Sequence, residues 1–139
     1  MQIEEMIRMV MHQTESSLTA EQVAGRVEAA CNKYSLALLQ TYIYHEIVES
    51  KGFPIQRKVF VYNICQAKTA SMMLTTNPEF STFMPCTLAV YEAGDKTVLS
   101  TMNMGMMLEA VKSNEELYNQ ASNLFKTFTQ MMDELATGK

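Results

Sequence analysis

Apolar residues recur along this chain with two different periods, and the period separates helix from strand. Ile3, Met6, Ile7 and Val10 share one face of a 3.6-residue repeat and predict a first amphipathic helix, interrupted at Ser16-Ser17. A second helix starts at Thr19. Gln22, three residues on, completes a capping box, and Leu18 is placed to staple onto Val23. Its buried stripe is Val23, Val27, Ala30, Cys31 and Tyr34, which assigns Cys31 to the core. Residues 36–44 are apolar and aromatic and read as a strand. Residues 45–51 form a short helix or turn ended by Gly52, with Pro54 just beyond. Residues 57–65, β-branched and aromatic, make the best strand in the chain.

Ala67, Ala70, Ser71 and Leu74 predict a short helix that stops before Asn77-Pro78, because a residue preceding proline avoids the α region. Residues 87–92 and 97–101 flank Ala93-Gly94-Asp95-Lys96 and predict a hairpin. Ser113 and Glu116 form a second capping box. The stripe that follows, Leu117, Ala121, Leu124, Phe125, Phe128, Met132 and Leu135, runs to Gly138 and predicts a long helix over 114–136. No repeat or linker divides the chain, so residues 1–139 read as one domain. The fold class is α+β in two layers: a small mixed or antiparallel sheet of about four strands packed against helices. Such a sheet leaves a face or an edge uncovered, and a homodimer is a common way to cover it.

Composition narrows the function. With 47% hydrophobic residues among 139, the chain is too apolar to remain disordered. No run of eighteen apolar residues offers a membrane span. Eleven Lys and Arg are dispersed and outnumbered by fifteen Asp and Glu, which argues against nucleic-acid binding. The first residues carry acid where a secretory signal carries base, so the expected location is cytoplasmic. Three cysteines, an odd number, do not make a disulfide framework.

Candidate chemistry centres on sulfur. Cys65 closes one strand and Cys86 opens the next. Side chains alternate along a strand, so Cys65 shares a face with Val59, Val61 and Asn63, and Cys86 with Leu88 and Val90. Antiparallel neighbours would bring both thiols to one end of the sheet. A parallel crossover would separate them by roughly 25–30 Å, at about 3.3 Å per residue. Met102, Met104, Met106 and Met107 crowd the end of the hairpin, where the strand is expected to run out into a flexible apolar rim. Thiolate and thioether together suit Cu(I), and methionine is equally an adaptable filler of cores and binding surfaces. His12 and His45 have no partner at ligand spacing, so zinc is not expected. There is no Gly-rich phosphate loop and no nucleophile elbow. Glu115-Glu116 sits at a helix start, where the macrodipole accounts for it.

At these residues the sequence resembles the family called domain of unknown function 302, in the subset that carries two cysteines. Asn63-Ile64-Cys65-Gln66-Ala67 stands where that subset has an acidic-x-Cys-Asn-Pro motif, and Phe83-Met84-Pro85-Cys86 where it has Leu-Pro-Cys. The resemblance runs from about Thr19 to Leu135, preceded by the short N-terminal helix. Asn63 replaces the acid, which puts any base or ligand role there in doubt. The resemblance implies a small α+β fold, usually a homodimer, and one site formed by Cys65 and Cys86. It implies no established reaction.

Two functional classes follow. In the first, a Cys65/Cys86 pair, stiffened by Pro85, binds a soft metal, a haem-like group or a sulfur-containing ligand, or cycles between dithiol and disulfide. Asn63 and, for a metal, Met102 and Met104 are the accompanying candidates. In the second, the chain is a non-enzymatic interaction protein, a structural dimer with its thiols in the core.

Overall fold

The computed structural model describes the whole chain, Met1–Lys139. Five strands, β1 (Met11–Ser16), β2 (Ala37–Ile43), β3 (Val59–Cys65), β4 (Cys86–Ala93) and β5 (Lys96–Met102), form one sheet in the order β1-β5-β4-β3-β2. Every neighbouring pair is antiparallel. The helices are α1 (Ile3–Val10), α2 (Ala20–Ala24), α3 (Val27–Lys33), α4 (Tyr44–Ser50), α5 (Ala67–Thr76), α6 (Gly105–Ala110) and α7 (Glu115–Thr137). A 3₁₀ turn, Pro78–Phe83, joins α5 to β4. The expected α+β class holds. None of the helices is long and apolar enough to cross a membrane.

Several elements differ from the sequence expectation. The sheet has five strands rather than about four, because α1 ends at Val10 and passes directly into β1, which runs to the bend at Ser17-Leu18. Strand β1 hides because its inward positions, His12, Thr14 and Ser16, are polar or aromatic rather than aliphatic. They are satisfied individually. The Ser16 hydroxyl donates to the Ala136 carbonyl at 2.5 Å and accepts from the Leu18 amide at 3.1 Å. The His12 ring meets Phe125 edge-on at 5.8 Å.

The second helix splits into α2 and α3 at Gly25-Arg26. There the Arg26 amide bonds the Val23 carbonyl, a three-residue closure that tightens the last turn. Its start is as expected: Gln22 and Thr19 exchange both bonds of the capping box, at 2.9 and 3.1 Å. The stripe survives the break, since Val23, Val27 and Cys31 are all fully buried. Helix α7 is capped by Asn114 and not by Ser113: the Asn114 Oδ1 accepts from the Leu117 amide at 3.2 Å. Asparagine is as good a cap as serine, and starting one residue later removes Glu116 from the box position.

The core lies between one sheet face and α2, α3 and α7. Register places Tyr62 opposite Leu88 and Val90 opposite Leu99, all on that face. Val23, Val27, Phe128, Met131, Met132 and Leu135 close over them. A smaller cluster, Met73, Val111 and Leu117, sits under α5 and α6, with Met72, Phe80, Met84 and Met107 packed around it.

Candidate functional site

The order of β3 and β4 decides the geometry of the thiols. As antiparallel neighbours, they bring the end of one strand beside the start of the other, so Cys65 and Cys86 lie at the same end of the sheet. Ile64 pairs directly with Cys86 and shares the helix-covered face with it. Cys65, one residue on, starts out toward the opposite face, with Val61 and Asn63. Both strands stop here. The two thiols reach the wall of one cavity of about 320 Å³.

The chain builds the remaining walls from segments that leave the sheet at this end. Thr69, Ala70 and Met73 come from α5, and Phe83, Met84 and Pro85 from the approach to β4. Leu124, Phe125 and Phe128 come from α7. Leu39 joins them from a bulge in β2, where the register shifts between Leu38 and Gln40. Met102 and Met104 lie in the wall as well. Beyond Met102 the expected flexible rim is instead ordered: Met104 is buried and the chain turns into α6, which adds Met107. Five of the thirteen methionines thus share one cavity with two of the three cysteines.

Of the residues singled out by sequence, Cys65, Cys86, Pro85, Met102 and Met104 line the cavity. Asn63 does not; its side chain lies 3.5 Å from the Thr87 hydroxyl, on the other side of the sheet. Burial, and then the Cys65 charge, push the Cys86 thiol above its ordinary range. Cys86 is therefore a neutral thiol at neutral pH, and any ligand that needs its thiolate must displace the proton. Cys31 is fully buried and likewise raised, chiefly by burial.

Both histidines are accounted for by packing. The His45 Nδ1 accepts from the Val59 amide at 2.9 Å and its ring meets Phe60 edge-on, while His12 packs on Phe125. No group of three His, Cys, Asp or Glu side chains converges. A metal here would have to be held by the two thiols with thioethers such as Met84 or Met104, a set soft enough for Cu(I).

Sequence reasoning missed the polar corner of this cavity. The Gln120 amide donates to the Gln66 Oε1 at 3.2 Å and to the Thr69 hydroxyl at 3.1 Å, and the Thr69 hydroxyl donates in turn to Gln66. Thr69 is fully buried. The available signal was a glutamine directly after a strand-ending cysteine, too short a pattern to join to Gln120. A second cavity, of about 560 Å³, adjoins the first. Phe83, Met102 and Met107 belong to both walls, and Met9, Val10 and Met106 line its far side.

The model of the family described as "Domain of unknown function DUF302" matches residues 12–135. A solved structure described as that of an uncharacterized conserved protein DUF302 from Bacillus stearothermophilus superposes with a TM-score of 0.75 at 20% identity. It covers 90% of this chain and 97% of that one. No curated protein matches the sequence. At that identity the structural likeness speaks for the fold alone, and the matched span reaches from the second residue of β1 almost to the end of α7. This chain belongs to the DUF302 family.

Proposed function

We propose that the domain is a binding module that takes a small apolar or soft ligand into the cavity between the Cys65/Cys86 end of the sheet and α5, α6 and α7. One observation carries this reading: two thiols and five thioethers share one largely apolar wall. The volume, about 320 Å³, falls in the range of small-molecule sites and far exceeds a bare ion. A soft metal held by Cys65 and Cys86 fits the chemistry of the donors. A dithiol–disulfide cycle fits less well, because the pleat starts the two side chains toward opposite faces and Cys86 is held as the neutral thiol. A haem-like group would need the partition of Phe83, Met102 and Met107 to open. Three free thiols suit a reducing, cytoplasmic setting.

The test is alkylation of the native protein with iodoacetamide, mapped by mass, with and without Cu(I). Label at Cys65 or Cys86, with Cys31 spared, supports the site, and suppression of that label by Cu(I) supports a soft metal. No label at either would return both thiols to the core.

A second reading rests on α1. None of its residues is buried; Ile3, Met6, Met9 and Val10 are exposed, and Met9 and Val10 line the open second cavity. That surface fits an interaction protein, with a homodimer as the simplest partner. Light scattering that gives a 15.7 kDa particle over a wide concentration range would rule the homodimer out.

A further inference from the structure

We propose that the ligand of this cavity is a compact organic molecule, largely apolar, that carries one hydrogen-bond acceptor such as a carbonyl oxygen, received by the Nε2 amide of Gln66. The proposal rests on the binding-module reading and adds the chemical class of the ligand. Its ground is the hydrogen-bond arrangement at the polar corner. As the two amides are oriented, the Gln66 Oε1 accepts from both Gln120 and Thr69. Its Nε2 is left with two donor hydrogens and no partner within the chain. Gln66 is half-buried in the cavity wall, and its oxygen is held by one fully buried threonine and a half-buried glutamine.

A glutamine clamped by its carbonyl end alone presents a donor in a fixed place. Around it the wall is methionine, phenylalanine, leucine and thiol. Sites for small molecules are built this way, with a mostly apolar lining and a few placed polar groups that fix orientation. A ligand that lacks an acceptor strips water from the amide and returns nothing, whereas one that carries an acceptor restores the bond. The methionines suit an aromatic or otherwise polarizable body, since thioethers pack favourably against ring edges.

The experiment compares two probes of nearly equal shape, acetophenone and α-methylstyrene, which differ by a carbonyl oxygen in place of a methylene. Dissociation constants for both are measured by NMR titration, observing the methionine methyl groups, on the full chain and on Gln66→Met. A purely apolar cavity favours the hydrocarbon. The proposal expects the ratio of the two constants to move about fivefold toward the hydrocarbon in Gln66→Met, the size of one net hydrogen bond. An unchanged ratio, with both probes still bound, overturns the proposal and leaves the binding-module reading standing. Binding of neither probe to the full chain overturns the reading and the proposal together. Should Gln66→Met fail to fold, Gln120→Met carries the test. Releasing the clamp lowers the carbonyl preference about twofold, and an unchanged ratio overturns the proposal.

Discussion

Two regions of this molecule are built from similar apolar residues and end up differently packed. Beneath α2, α3 and the second half of α7, Val23, Val27, Leu88, Val90, Leu99 and Leu135 meet with their side chains fully buried. At the other end of the sheet, Met84, Met102, Met104 and Met107 surround an open cavity together with Cys65 and Cys86. Residue type does not make the difference, since Met131 and Met132 are fully buried in the first region. What differs is the backbone. The first region is a continuous sheet face under long apolar stripes. In the second, two strands stop, β2 bulges, and a 3₁₀ turn and a short helix supply the walls. Regular elements interdigitate, whereas a wall assembled from strand ends, a bulge and short turns leaves space.

The largest test of this contrast is truncation. Leu88→Ala, in the filled region, should cost about 3 kcal/mol in urea unfolding, and Met107→Ala, in the cavity wall, about 1 kcal/mol. Equal losses would mean that the cavity end is packed as tightly as the core. The next test concerns the α7 terminus, which serves the methionine cluster through Leu117. Asn114→Ala should cost about 1 kcal/mol, while Ser113→Ala stays within about 0.5 kcal/mol. The reverse order would restore the cap to Ser113.

The smallest effect is on pH dependence, and both regions contribute to it. Cys31 in the core and Cys86 in the cavity are each raised above the usual thiol value of 9.0, chiefly by burial. The unfolded chain therefore loses these protons first. Their stabilisation is fully present below the unfolded thiol pKa and is lost as pH rises through the folded values. Tyr62, pushed up to about 12 by burial, acts in the same sense at still higher pH. Urea midpoints should fall between about pH 7 and about pH 10, and Cys31→Ala should remove part of that fall. A flat profile would show both thiols to be solvated.

Most of the fold was legible where apolar period and cap agreed. The α2 capping box, the β3 pattern, the hairpin and the α7 stripe each follow from a few neighbouring residues. Strand β1 was not legible, because its partners Leu99 and Thr101, and the Ala136 carbonyl, are distant in sequence. The site was half legible. Strand ends pointed to Cys65 and Cys86, but only the antiparallel pairing of β3 and β4 brings them to one cavity. Asn63 holds a motif position, and the pleat turns it away from that cavity. Gln66, Thr69 and Gln120 form a contact between α5 and α7 that no local pattern announces.

Strand order also bears on how the chain is made. β2, β3, β4 and β5 pair with their neighbours in sequence, so this part of the sheet can zip up as the chain leaves the ribosome. β1 is the exception, because Met11 pairs with Met102 and Ser16 with Thr97. The first strand to be synthesised must wait for the last before it has a partner, and the Ser16 hydroxyl waits longer still, for the carbonyl of Ala136. Such distant pairing slows folding, and a waiting strand is a hazard when it is apolar. The inward row of β1, His12, Thr14 and Ser16, carries no aliphatic side chain, so that face of the waiting segment exposes little apolar surface. The feature that hid this strand from its sequence also makes it the least apolar strand to leave unpaired.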